Sequence, residues 1–161
     1  MATTKRSSRG DGASEALYAL DRTLTYRMHL LHKLTDQESQ RLYPEVVGLS
    51  LSDGRTLAAV GSFEPLSVNQ LARLANLNKA QASRSAQWLA DEGFVVKADA
   101  PGDGRGVELT LTARGRKAWR QTMDFIDSRN QAIFGCLSAR DRELLGELFD
   151  RLIAHASSSA A

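Results

Sequence analysis

Residues 66–112 read LSVNQLARLANLNKAQASRSAQWLADEGFVVKADAPGDGRGVELTLT, and their order decides the fold. Ser67 precedes an apolar rhythm at Leu71, Leu74 and Ala75, which predicts a short helix with Ser67 as its N-cap. Asn76-Leu77-Asn78 breaks that helix. Asn78 then caps a second helix whose inward side carries Ala82, Ala86, Leu89 and Ala90. Gly93 ends it, as a residue tolerant of the left-handed conformation does at a helix C-terminus. Phe94, Val95 and Val96 begin a strand, and residues 100–106 have turn composition. Val107, Leu109 and Leu111 alternate with Glu108 and Thr110, the period-2 mark of a half-buried strand. Helix, tight turn, helix and a hairpin with a Gly-rich tip is the order of a winged helix-turn-helix. Such a unit lays its second helix in the DNA major groove and its hairpin on the neighbouring backbone or minor groove.

Working outward, Thr112 is expected to cap a long helix through Trp119, Met123, Ile126, Ile133 and Phe134. Ser138, with Asp141 three residues on, opens a last helix carrying Leu144, Leu145, Leu148, Phe149, Leu152 and Ile153. Upstream, Ser52 is expected to cap a segment containing Leu57, Ala58 and Val60, closed by Gly61 and followed by Pro65. Before that, Leu17, Leu20, Leu24, Met28 and Leu31 form one stripe of a helix that starts behind Ser14 and ends before Pro44, where Pro44-Glu45 opens a short helix. The fold class expected is mainly α (α+β). A winged helix at about 50–112 sits between dimerisation helices 14–43 and 112–155, in one domain over 14–155 behind a disordered polar tail at 1–13. The outer helices carry more apolar surface than one such module needs. Burying a Leu or Phe side chain stabilises by about 1.5–3 kcal/mol, so a two-fold homodimer that interleaves these helices is expected.

The whole chain of 161 residues has a net charge of only +2, but between Leu66 and Lys117 there are eight Lys/Arg against five Asp/Glu. The basic surplus therefore sits on the reading module, where phosphates would meet it. One cysteine, Cys136, excludes a disulfide framework and fits a reducing cytoplasm; it is expected to be a small buried hydrophobe. No stretch approaches the ~18 apolar residues of a membrane span. No Gly-x-Ser-x-Gly elbow, phosphate-binding loop, His-Glu-x-x-His or Cys-x-x-Cys occurs, so the chain is not expected to be an enzyme and no cofactor is assigned. His29 and His32 stand three apart without an evident third metal ligand.

The DNA-reading candidates are Ser67 on the first helix of the pair, and Asn78, Lys79, Gln81, Ala82, Ser83, Arg84, Ser85 and Gln87 on the second. Arg and Lys match guanine O6/N7, Gln matches adenine N6/N7, Ser serves either, and Ala can touch a thymine methyl. Arg84 and Gln81 are the candidates for base edges, and Ser83, Ser85 and Lys79 for phosphates. At the wing tip Arg105 can enter a narrow minor groove, with Asp103 close enough in sequence to steady its guanidinium. A solvated polar face, or a winged helix used only for protein contacts, is the alternative.

Three stretches resemble the multiple-antibiotic-resistance regulator (MarR) family. They are LSVNQLARLANLNKAQASRSAQWLADEGFV at 66–95, DGRGVELTLTARGRKAW at 103–119, and SLSDGRTLAAVGSFEPLSV at 50–68. The second is the most specific, an Asp-x-Arg followed by a Leu-Thr-Leu-Thr strand and cap. The resemblance extends over about residues 15–155. It implies a homodimeric transcription factor, usually a repressor of a palindromic double-stranded operator, released by a small aromatic carboxylate or phenol bound between the dimerisation helices and the reading module. It also implies that Arg105 reaches the minor groove and Asp103 steadies it. Arg27, His29, His32, Tyr43 and Arg55 lie in the region to which the resemblance assigns the effector. They offer the cations and polar handles an aromatic anion needs.

Overall fold

The computed structural model describes residues 19–99 and 107–159. After a 3-10 turn at Leu20–Arg22 come α1 (Leu24–Val46), α2 (Leu51–Phe63), β1 (Leu66–Ser67), α3 (Val68–Leu74), α4 (Lys79–Asp91), β2 (Val95–Asp99), β3 (Val107–Leu111), α5 (Ala113–Phe134) and α6 (Ala139–Ser159). The chain divides between Glu38 and Ser39, inside α1, into two compact units.

In the first unit, α1 starts behind Thr23, whose Oγ1 accepts the Tyr26 N–H at 3.3 Å. The expected start at Ser14 lies outside the described residues. Leu24, Met28, Leu31 and Leu34 form an exposed stripe.

In the second unit, Pro44 does not end α1. It sits in the last turn, and the Val47 N–H still donates to the Tyr43 carbonyl at 2.9 Å. A proline there forfeits one internal hydrogen bond. Burial of the preceding Tyr43, edge-on to Phe125 at 4.8 Å, offsets that loss. No separate helix opens at Pro44.

The cap of α2 is Ser50, not Ser52. Ser50 Oγ accepts the Asp53 N–H at 3.1 Å and donates to Asp53 Oδ2 at 2.6 Å. Gly61 stays within α2 instead of closing it. A Cβ there would lie 2.4 Å from Trp119 Cδ1, so the glycine admits the indole.

The three strands form an antiparallel sheet in the order β1-β3-β2, with Leu66 opposite Leu109 and Val95 opposite Leu111. Leu109 and Leu111 are buried as the alternation requires, while Val107 at the outer end is exposed. Leu57, Val60, Leu66, Leu71, Leu89 and Leu109 make a close-packed centre shared by α2, α3, α4 and the sheet.

Helix α5 starts at Thr112 as expected, with Thr112 Oγ1 accepting the Gly115 N–H at 2.9 Å. The same hydroxyl donates to the Gly93 carbonyl at 2.8 Å, tying the end of α4 to the start of α5. Ser138 caps α6, accepting the Asp141 N–H at 3.2 Å. Leu144, Leu148, Phe149, Leu152 and Ile153 of α6 are exposed. Cys136, in the α5–α6 turn, is exposed, which corrects the expectation that it is buried.

Candidate nucleic-acid interface

The reading pair is built from local chemistry. Ser67 Oγ accepts the Gln70 N–H at 3.3 Å, and Gln70 Oε1 accepts the Ser67 N–H at 2.8 Å. Asn78 and Gln81 repeat the device: Asn78 Oδ1 accepts the Gln81 N–H at 2.9 Å, and Gln81 Oε1 accepts the Asn78 N–H at 3.1 Å. Each reciprocal pair satisfies two backbone donors that a helix start leaves open. Between them Asn76 takes the left-handed conformation, φ 54°, which asparagine tolerates better than most residues. The Leu77 N–H returns to the Ala72 carbonyl at 2.9 Å.

One face of α4 is buried against this scaffold: Ala82, Ala86 and Leu89 have no exposed surface, and Ser85 retains 7%. Two expectations are thereby corrected. Ala82 cannot touch a thymine methyl from inside the core. Ser85 faces α2, its Oγ 3.3 Å from that of Ser52, rather than a phosphate. Both follow from helical geometry, because 82, 85, 86 and 89 fall on one side of a 3.6-residue turn.

The opposite face carries Asn78, Lys79, Gln81, Ser83, Arg84 and Gln87, all exposed. Among the described residues Lys79 and Arg84 have no hydrogen-bond or ion-pair partner. Their charges are therefore available to an outside anion. Gln81 is partly committed: with Oε1 in the capping pair it can donate, but it does not offer the donor and acceptor together that an adenine edge takes. Gln87 is fully engaged. It accepts from Lys97 Nζ at 2.6 Å and donates to Asp91 Oδ1 at 2.7 Å, which bridges α4 to the first wing strand. Ser67, half-buried, spends its hydroxyl on the α3 cap. Sequence reasoning missed Lys97. Its signal was a cation at an exposed strand position, paired with Leu109 across the hairpin. Asp103 and Arg105 lie outside the described residues.

The five effector candidates divide between the two units. Arg27, His29 and His32 are exposed on α1 within the first unit, with Arg27 Nε donating to the Asp21 carbonyl at 3.2 Å. Tyr43 and Arg55 belong to the second unit. Tyr43 is committed to the core: its ring packs on Phe125, and a Cβ at Gly54 would lie 2.2 Å from its Cε1. Burial pushes its phenol up from 10.0, and the positive charge of exposed Arg55 partly opposes that. Among the described residues no group of three or more His, Cys, Asp or Glu could hold a metal ion. None of the described helices is long and apolar enough to cross a membrane.

A sequence model described as the MarR family matches residues 47–106, from the α1–α2 turn to the wing. None of the curated proteins compared matches the chain. Solved structures share its fold over most of their length. A MarR/EmrR family transcriptional regulator from Acinetobacter sp. ADP1 superposes with a TM-score of 0.78 at 20% identity, covering 86% of this chain and 98% of the other. A MarR family regulator from Silicibacter pomeroyi gives 0.75 at 20% identity over 87% and 94%. BpsR of Bordetella bronchiseptica, whose DNA binding is regulated by 6-hydroxynicotinic acid, gives 0.75 at 18% identity over 84% and 96%. At these identities the structures speak for the fold, and the match over 47–106 speaks for the sequence. The chain, a helix-turn-helix and two-strand wing followed by two long helices, has the fold of these MarR family regulators and resembles the family in sequence over residues 47–106.

Proposed function

We propose that the protein is a homodimeric transcriptional regulator that binds a palindromic double-stranded operator and acts as a repressor released by a small aromatic or phenolic acid. The observation that carries the DNA-binding part is the outward face of α4, where Lys79 and Arg84 stand exposed and unpaired beside Ser83. Arg84 is assigned to a base edge, and Lys79 and Ser83 to phosphates. Arg105 at the wing tip is assigned to the minor groove, with Asp103 as its support.

The exposed stripe of α6 supports the dimer. So does an apolar groove of about 230 Å3 between α5 and α6, lined by Phe134, Leu145 and Phe149. Left wet, this surface would be an aggregation hazard; a second copy covers it economically. Regulation of the DNA binding of BpsR by 6-hydroxynicotinic acid supports an effector of that class here.

The test is a gel shift on DNA flanking the protein's own gene. Specific binding that weakens steeply as salt rises is expected, because neutralised phosphates release counterions. A panel of aromatic acids titrated into the complex should then free the DNA. Indifference to every duplex offered, with a protein partner captured instead, would replace the regulator with a protein-contact module.

A further inference from the structure

The outward face of α4 does not end at Arg84. Gln87 lies four residues after Ser83 and three after Arg84, and Asp91 lies four after Gln87, so these residues share one side of the helix. The strand that follows α4 is β2, where Val95 stands opposite Leu111 and Lys97 opposite Leu109. Residues directly opposite each other in an antiparallel pair project from the same side of the sheet. Val95, Leu109 and Leu111 are buried, so Lys97 occupies the next inward position of β2. It is nevertheless exposed: a lysine stands where the alternation would extend the core. Its side chain reaches across to α4, and Nζ donates to Gln87 Oε1 at 2.6 Å.

That ammonium is held by a relay. The Asp91 carboxylate only accepts, so it takes the Gln87 Nε2 donor, at 2.7 Å, and leaves Oε1 turned toward Lys97. Neither Asp91 nor Asp99, the next inward residue of β2, forms an ion pair with Lys97, which has none among the described residues. An ammonium carries three N–H donors, and Gln87 takes one of them. The other two, and the charge, remain for an outside anion. Position adds to charge. In the regulator reading α4 lies in the major groove and the hairpin reaches the adjacent minor groove. One sugar-phosphate strand separates those grooves, so it passes between α4 and the hairpin, the two elements that Lys97 joins.

We infer that Lys97 clamps a phosphate of the strand between the grooves, and that Gln87 and Asp91 are positioning residues that hold it there and read no base. The inference rests on the regulator reading above and assigns that site a contact of its own. The clamp is indifferent to sequence, because every nucleotide offers the same phosphate. It also sets the spacing of wing and reading helix, since the hydrogen bond that aims the ammonium is the one that ties β2 to α4. Gln87, which looks like an adenine reader in sequence, acts through Lys97 instead.

The experiment measures binding of the full-length chain, against rising salt, to two duplexes of equal length, one flanking its own gene and one unrelated. Lys97→Gln keeps a donor for Gln87 and loses the charge. It should bind both duplexes about tenfold more weakly for each half-site engaged, as expected for a lost hydrogen bond to a charged group. Its slope of log affinity against log salt should shrink by about 0.9 per half-site, about 1.8 for a dimer. Lys97→Arg should keep the wild-type slope. Gln87→Ala should weaken both duplexes by one common factor, and should cost nothing further in the Lys97→Gln background. Wild-type affinity and slope in Lys97→Gln overturn the clamp. So does a loss of affinity at unchanged slope, which marks a merely structural tie between α4 and β2. A loss confined to the flanking duplex in Gln87→Ala marks a base contact and also overturns it. Each of these results leaves the regulator reading standing. Indifference of the wild type to both duplexes rejects that reading and the clamp with it.

Discussion

Gly115→Ala gives the sharpest test of how the reading module is joined to the long helices. Exchanging Gly for Ala inside a helix ordinarily stabilises by about 1 kcal/mol. Here the added carbon would lie 1.8 Å from the Phe94 carbonyl oxygen and 2.8 Å from its carbon. Even a C–H···O contact needs about 3.3 Å, so α5 would have to retreat by about 1.5 Å on that comparison. That oxygen accepts the Thr112 N–H at 3.0 Å and Thr112 Oγ1 at 3.2 Å. Each bond lost is worth about 1 kcal/mol, and the misfit adds about 1–3 kcal/mol. After the helical gain is subtracted, a net destabilisation of about 2–4 kcal/mol is expected. For a protein of this size that is a fall in Tm of roughly 5–15 °C. Thermal and urea unfolding, followed by circular dichroism at one fixed protein concentration, measure it. A variant as stable as wild type, or more so, would show that α5 does not approach Phe94 this closely and refute the reasoning.

Arg84→Ala should weaken operator binding by about 1–3 kcal/mol at fixed salt while leaving the unfolding midpoint unchanged; undiminished affinity removes Arg84 from the base contacts. Leu152→Glu places a charge in the exposed α6 stripe and should shift the protein from dimer to monomer in light scattering; a persistent dimer means that this stripe is not the interface. Tyr43 releases its proton in the unfolded chain near pH 10 but holds it above that when folded, because burial raises its pKa. Protons bound by the folded state then exceed those bound by the unfolded state, so stability falls as pH rises beyond 10. Denaturant midpoints on either side of pH 10 should show this slope, and Tyr43→Phe should flatten it.

Much of the architecture was legible because its signals are local. Ser67, Asn78, Thr112 and Ser138 each cap the helix expected of them, since a short polar side chain satisfying nearby N–H groups needs no distant partner. What depended on distant packing was not legible. Gly61 looked like a helix end because its reason for being glycine, the Trp119 indole, lies 58 positions away in α5. Pro44 looked like a break because the burial of Tyr43 against Phe125 could not be seen. Ser52 looked like a cap because neither the closure of Ser50 on Asp53 nor the turn of Ser52 toward Ser85 could be seen. On the reading helix the polar residues were found, but Ser85 could have been excluded. It stands three positions after Ala82 and four before Leu89, on the face that must be buried. The effector residues were the hardest to place. A cation suited to a ligand looks in sequence like any surface cation.

Under the proposed function, the paired capping boxes of α3 and α4 bear on how the protein would meet a duplex. Both helix starts close their own donors before any partner arrives, so the reading element is rigid in advance. Association then escapes the ordering penalty of about 1–2 kcal/mol per residue that accompanies folding on a template. Its heat-capacity change should follow the contact area alone, without the added decrement of coupled folding.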